Sequence, residues 1–224
     1  MSDWRDPLSL RAWPEALEAH AVDGGHAPRL HGYDVESDLA LHYRFSDLLL
    51  LALTGELPDE KRSRAFEITL CFLVPSSVAE APVHAAVLAA YFGAPPGGLL
   101  SIGASTIAGD AAELAERVAR AEASPELPAD MRASDPEERA SVERLAGALT
   151  GFVEVPLLAR DPGREVALLA VLRALGLVDP LRLAAAVALA RLASVAAESA
   201  PRLREDFQQK YPVNVPPFAY DPDG

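Results

Sequence analysis

The sequence predicts an all-α fold, and three features of the chain support this. Hydrophobic residues fill 50% of the 224 positions while aromatic residues fill only 6%, so the core must be built from Ala, Leu and Val. This composition favours closely packed helices over a β-sandwich, which is richer in β-branched and aromatic residues. Helix start and stop signals recur along the chain, and no useful length of sequence alternates apolar and polar residues as a strand does.

The first clear helix is the leucine-rich segment DLLLLALT. Ser46 is its expected N-cap, with Phe45 in front as a hydrophobic staple and Gly55 just past the end. A second helix begins at Pro58 and closes at Pro75. A third runs over residues 78–92 and ends at Gly93, and Pro82 must lie in its first turn or kink it.

The stretch LLSIGASTIAGDAAELAER, residues 99–117, changes from mostly apolar to highly charged. Its first half predicts a short buried helix. Beyond Gly109 the pairs Glu113–Arg117 and Glu116–Arg120 predict a separate, solvent-facing helix.

Three more helices follow. Ser134 and Glu137 form a capping box in sequence before ERASVERLAGAL, and EVALLAVLRAL is closed by Gly176. Asp179 and the proline after it start an alanine-rich helix that Pro201 ends, and its small side chains predict a central position or a subunit contact. The tail QQKYPVNVPPFAYDPDG is expected to lie as an arm on a surface.

Charge and composition exclude several classes of function. With 33 acidic against 20 Lys and Arg residues the net charge is −13, which disfavours nucleic acid and anionic membrane surfaces as partners. The amino terminus lacks the apolar core of a signal peptide, and the longer apolar runs are broken by arginines. We therefore expect a soluble, cytoplasmic protein.

The cysteine and histidines offer little chemistry by themselves. Cys71 is expected to be a small buried hydrophobe and His84 a core or interface histidine. A polar segment holds His20, His26 and His31 near two aspartates, but their spacing matches no metal-ligand pattern, so a solvated loop is favoured and no metal is expected.

Residues 31–70 carry a family resemblance. Gly-Tyr-Asp at 32–34, Phe-Ser-Asp at 45–47 and Gly-Glu-Leu-Pro at 55–58 stand in the order and spacing of the citrate synthase superfamily. The chain resembles most the branch of citryl-CoA lyase and the terminal domain of ATP-citrate lyase. The segments AAVLAAYFGAP and GGLLSIGAS continue the resemblance.

The resemblance implies a citrate-synthase-like, multi-helical fold with a large helical domain and a small, reduced lobe. Residues 1–30 would be an N-terminal segment, residues 31–110 with 166–224 the large domain, and residues 111–165 the small lobe. It also implies a homodimer, or a paralogous subunit as partner.

The implied chemistry is a Claisen or retro-Claisen step between an acyl-CoA thioester and an oxoacid. Such a step uses an aspartate base, two histidines and carboxylate-binding arginines. Thr106 stands at the position of a family histidine, Glu165 at that of the base, and Arg139 close to that of an arginine. The glycines after the family histidine are Ile107 and Ala108.

Three hypotheses follow. The first is a family member without ordinary catalysis that serves as a dimeric or partner-binding subunit. The second is an active citryl-CoA lyase or citrate-synthase-type enzyme of altered specificity, with Glu165 as base. The third is a regulator that binds an acyl-CoA or carboxylate ligand without turnover. No cofactor is implied, since a CoA thioester would enter only as a substrate.

Overall fold

The computed structural model describes residues 19–22 and 27–202, which divide into two compact units between Leu57 and Pro58. The predicted arm at residues 208–224 lies outside the described residues, as does His26. The domain boundaries expected after residues 30, 110 and 165 stay predictions.

A small antiparallel sheet opens the first unit. Its strands are β1 (Ala21–Val22), β2 (Arg29–Leu30) and β3 (Tyr33–Asp34), in that order across the sheet. His31 and Gly32 join β2 to β3 with φ of 48° and 85°, and a two-residue hairpin of this kind needs positive φ at both positions. Two-residue strands are too short to produce an alternating pattern, so the sequence did not reveal them.

The helical part of the first unit follows directly. A π-helical turn (Val35–Leu39) leads into the short α1 (Ala40–His42), and α2 spans Phe45–Thr54. Gly55 ends α2 as predicted, with φ of 83° and its N–H donating to the Leu51 carbonyl.

The start of α2 differs from the prediction. Arg44 is the N-cap rather than Ser46, and the Arg44 N–H donates to the Asp47 carboxylate at 2.9 Å. Phe45 is 75% exposed and therefore forms no staple. The cap forms earlier because an acid at the third helical position satisfies the N-cap backbone from inside the helix.

The second unit contains six α-helices along the described chain. They are α3 (Glu60–Leu73), α4 (Ala81–Tyr91), α5 (Pro96–Ala123), α6 (Pro136–Leu149), α7 (Arg164–Ala174) and α8 (Pro180–Ser199). Apart from α5 and the cap of α6, these helices start and stop within a few residues of the predicted positions. The structure therefore confirms the predicted all-α class.

The core of this unit is built on α7 and α8. All seven residues at 166–172 are at most 5% exposed, as expected for a helix surrounded by protein. α8 packs against α3, α4, α5 and α7, and α6 packs against α3 and α7. α8 also has the length and apolar composition of a membrane-crossing helix, but the core helix of a soluble protein can have both of these properties.

α5 lies close against α8 at Gly103. A Cβ atom built on Gly103 would stand 2.9 Å from Cγ1 of Val195, nearer than atoms in van der Waals contact come. Gly103 therefore permits a backbone approach that a residue with a Cβ would obstruct. This agrees with the expected central position of α8.

Two predictions around α5 and α6 were wrong. α5 is one helix of 28 residues, with Gly109 in its interior, because a single glycine weakens a helix without ending it. Arg117 pairs with Asp130 rather than with Glu113. The N-cap of α6 is Asp135, one residue after the predicted cap, because the proline that follows it takes the first helical position.

The expected burial of Cys71 and a core position of His84 were also wrong, whereas an interface position of His84 stays a prediction. Cys71 on α3 and His84 on α4 are both exposed. On α3 the buried residues include Phe66, Thr69 and Leu73, which leaves the face of Cys71 turned outward. Because α3 buries only one face, part of its apolar run stays exposed.

Candidate functional site

Glu165, the candidate base, lies in the first turn of α7. Its Oε1 accepts a hydrogen bond from Nη2 of Arg191 on α8 at 2.5 Å. The Glu165 side chain is 39% exposed and that of Arg191 is 12% exposed. The carboxylate is therefore held by a guanidinium on one side and open to solvent on the other.

Beside Glu165 opens a polar cleft of about 410 Å³ between the amino-terminal halves of α6 and α7. Its wall holds four carboxylates, two guanidinium groups and a serine hydroxyl. These residues are Asp135, Glu137, Glu138, Ser141, Arg144, Arg164 and Glu165. The lining contains no imidazole, so the ionisable groups of this cleft are carboxylates and guanidinium groups only.

Glu138 joins the two helices that form the cleft. One of its oxygens accepts from the Arg164 N–H at 2.7 Å, and the other accepts from the N–H and hydroxyl of Ser134. Burial raises the pKa of the Glu138 carboxyl, but these hydrogen bonds lower it more, and the net pKa lies below its ordinary value. Glu138 is thus a structural anion.

Two more contacts fix the helix ends at the cleft. Asp135 accepts from the backbone N–H groups of Glu138 and Glu137, and these bonds lower the pKa of its carboxyl. The Arg164 guanidinium donates to the Phe72 carbonyl at 2.5 Å, which holds the start of α7 against the end of α3. Arg144 forms no hydrogen bond or ion pair with the residues described.

Arg139, the predicted carboxylate-binding residue, lies on α6 but outside the lining of the cleft. Its Nε and Nη2 donate to the two oxygens of Asp161 at 2.8 and 3.1 Å. This two-bond pairing lowers the pKa of the Asp161 carboxyl. A substrate carboxylate would have to compete with Asp161 for the same guanidinium.

Thr106, at the position of the family histidine, lies on α5 and is half-buried. Its hydroxyl donates to the Ile102 carbonyl one turn back at 3.0 Å, and the side chain of Ile107 is 1% exposed. A helical threonine often bonds its own backbone in this way. The structure therefore places Glu165 in the cleft, whereas Thr106 and Arg139 are engaged elsewhere.

No histidine of the described residues is part of the lining of the Glu165 cleft. His20 and His31 stack with ring centroids 4.9 Å apart, and His84 makes no side-chain hydrogen bond there. Residues 19–22 and 27–202 contain no group of three potential metal ligands.

The sequence did not reveal Arg191 as the partner of Glu165. The two residues are 26 positions apart on different helices, and only the packing of α7 against α8 brings them together. An arginine within an alanine-rich apolar helix was the available signal, because such a charge needs a partner when it is buried.

Comparison with known proteins places the fold. No protein-family model and no curated protein sequence matches the chain. Among solved structures, citryl-CoA lyase from Hydrogenobacter thermophilus matches with a TM-score of 0.63 and 18% sequence identity. The match covers 95% of this chain and 98% of that one. The chain therefore has the all-α fold of citryl-CoA lyase, which is the citrate-synthase-like fold that its sequence motifs imply.

Proposed function

We propose that the protein is a citryl-CoA-lyase-like subunit that has lost ordinary Claisen and retro-Claisen catalysis on acyl-CoA thioesters. The observation that carries this proposal is Thr106, which stands where the family resemblance places a histidine and bonds its own helix. A threonine hydroxyl can donate one hydrogen bond, but it cannot gain or lose a proton near neutral pH as imidazole does.

The size of the expected loss supports the same conclusion. Removing a single donor to a developing oxyanion typically costs about 10²–10³ in rate. Here the histidine position holds Thr106, the arginine closest to the family position is bound to Asp161, and Glu165 is bound to Arg191. Several such losses together leave little of a catalysed rate.

A role as a homodimer or as the partner of a paralogous subunit is supported by exposed apolar side chains on two helices. Phe92 just past α4 is 76% exposed, and Leu181 on α8 is 77% exposed. Leu88 and Leu189 add partly exposed apolar surface on the same two helices. Contiguous apolar surface often marks a protein contact, and a dimer would remove such side chains from water. If the protein also binds an acyl-CoA or a carboxylate, we propose that it does so without turnover.

A second candidate function is an active enzyme of altered specificity, and one observation favours it. Glu165 has a solvent-accessible carboxylate in the lining of an open cleft that also holds Arg144 and Arg164. In this alternative Glu165 takes the proton and an arginine binds a substrate carboxylate. Because the side chain of Glu165 is longer than that of an aspartate base, the substrate would have to lie further from the backbone of α7.

Turnover assays separate the two candidates. Purified protein is incubated with citryl-CoA, and separately with acetyl-CoA and oxaloacetate, and CoA thioester loss is followed over time. The first proposal predicts the uncatalysed rate in both reactions. Turnover that Glu165→Gln abolishes, while Glu137→Gln on the same cleft keeps it, would establish the active alternative.

A further inference from the structure

A second cavity, with no lining residue in common with the Glu165 cleft, lies between the end of α5, the 3-10 turn Pro156–Arg160 and α7. Its volume is about 210 Å³ and most of its wall is apolar. The lining residues are Glu122, Val155, Pro156, Leu157, Arg160, Ala170 and Ala174.

The two charged residues of this wall differ in their pairing. Glu122 accepts a hydrogen bond from Nε of Arg173 at 2.9 Å, so its charge is compensated. Arg160 forms no ion pair with a carboxylate of the described residues. Its Nη1 donates to the Ala121 carbonyl at 2.8 Å, while its Nη2 is buried and has no acceptor among the same residues.

The Ala121 carbonyl explains only part of this arrangement. It lies in the last turn of α5, where a cation is favoured by the helix dipole. That contact leaves the second terminal nitrogen of Arg160 removed from water without a partner. Buried donors of this kind are rarely left unsatisfied, because a lost hydrogen bond to a charged group is costly.

We propose that this cavity binds a short aliphatic carboxylate, with the carboxylate on the Arg160 guanidinium and the chain against Val155, Leu157 and Ala170. A guanidinium presents its N–H groups in the geometry that a carboxylate accepts. The apolar wall selects a hydrocarbon body over a polar one, as most small-molecule pockets do. This site does not depend on the proposed loss of catalysis.

Calorimetry with hexanoate tests the site. Hexanoate and its uncharged analogue hexanamide are titrated into the wild-type protein, Arg160→Gln, Ala174→Leu and the control Arg182→Gln, whose side chain is exposed on α8. Ala174 is exposed at the last turn of α7, so leucine there fills the cavity without disturbing the core. We expect hexanoate to bind wild type and Arg182→Gln equally. Its affinity for each cavity variant, and the affinity of hexanamide for wild type, should be lower by about tenfold or more.

The site assignment is overturned if hexanoate fails to bind the wild type, if hexanamide binds as tightly as hexanoate, or if either cavity variant keeps the wild-type affinity. Circular dichroism reports whether Arg160→Gln folds. If that variant is unfolded, Ala174→Leu decides alone, since it leaves the guanidinium and its contact with Ala121 in place.

Discussion

Arg191 on α8 and Glu165 on α7 form an ion pair in which Nη2 of the arginine lies 2.5 Å from Oε1 of the carboxylate. Glu165, the residue expected to be the base, therefore helps to hold the two core helices together. The arginine is largely buried, and its Nε has no hydrogen-bond partner within the described residues. The pair is therefore part of the architecture of the second unit.

Replacing Arg191 by Gln is expected to destabilise the protein by about 1–2 kcal/mol. Breaking a fully buried pair costs about 3–5 kcal/mol, and solvent reduces this value because the Glu165 side chain is 39% exposed. Urea unfolding followed by circular dichroism measures the change. Arg182→Gln, at an exposed position of the same helix, is the control and should stay within about 0.5 kcal/mol of wild type. Equal effects of the two changes would contradict the importance of the pair.

Two alanine substitutions in α5 are expected to have opposite effects. Gly103→Ala places a methyl group against Val195 and should destabilise the protein by about 1–3 kcal/mol. Gly109→Ala meets no atom within 4 Å and should stabilise it by about 0.5–1 kcal/mol, because alanine favours the helix. Thermal unfolding of the two variants provides the comparison.

The close contact at Gly103 has its own check. If the clash with Val195 is the cause, adding Val195→Ala to Gly103→Ala should recover part of the stability, beyond the sum of the two single effects. Purely additive effects would assign the loss to some other contact of α5.

Glu138 predicts a loss of stability in acid. The pKa of its carboxyl is lower in the folded protein than the ordinary value of 4.5. The hydrogen-bonded anion therefore contributes its full stabilisation above about pH 4.5, and this contribution is lost as the pH falls through the lower folded pKa. Urea midpoints between pH 7 and pH 3 should fall less steeply for Glu138→Gln than for wild type.

Glu137 offers a matched control for that experiment. It lies next to Glu138 in the first turn of α6, is exposed, and its carboxylate accepts no hydrogen bond from the described residues. Glu137→Gln should retain the wild-type pH dependence. If it flattens the curve as much as Glu138→Gln does, the acid sensitivity does not come from the bonds to Ser134 and Arg164.

The oligomeric state tests the partner-binding part of the proposal. Sedimentation velocity at micromolar concentration should show a dimer, and Phe92→Ser should weaken it because it removes an exposed aromatic side chain from the apolar surface. Phe152→Ser, at a less exposed aromatic residue in the turn after α6, is the control. A wild-type protein that is monomeric at this concentration contradicts homodimer formation, and a mixture with a paralogue then tests the other partner.

Much of the fold could be predicted because the ends of a helix are determined by residues close to them in the sequence. Gly55, Gly176 and the Asp179–Pro180 pair each act within one turn of their own backbone, and the structure confirms all three. The cap at Asp135 was missed by one residue because two acceptors stand side by side before Pro136. The unbroken α5 was missed because Gly109 resembles a boundary in sequence.

The candidate site could be predicted only in part, because its contacts join distant segments. Nothing near Glu165 in the sequence indicates Arg191, and nothing near Arg139 indicates Asp161, since each pairing depends on how helices and turns pack. The exposure of Cys71 likewise depends on which face of α3 meets the core. Whether Glu165, Thr106 and Arg139 act on a ligand stays a prediction.

The most direct test of the lost catalysis is the initial rate of citryl-CoA cleavage, measured beside Hydrogenobacter thermophilus citryl-CoA lyase under the same conditions. The account predicts that the lyase consumes the thioester while this protein leaves it at the rate of buffer alone, from pH 6 to pH 9. Cleavage above buffer that disappears in Glu165→Gln would contradict it, and would make Glu165 a working base despite its bond to Arg191.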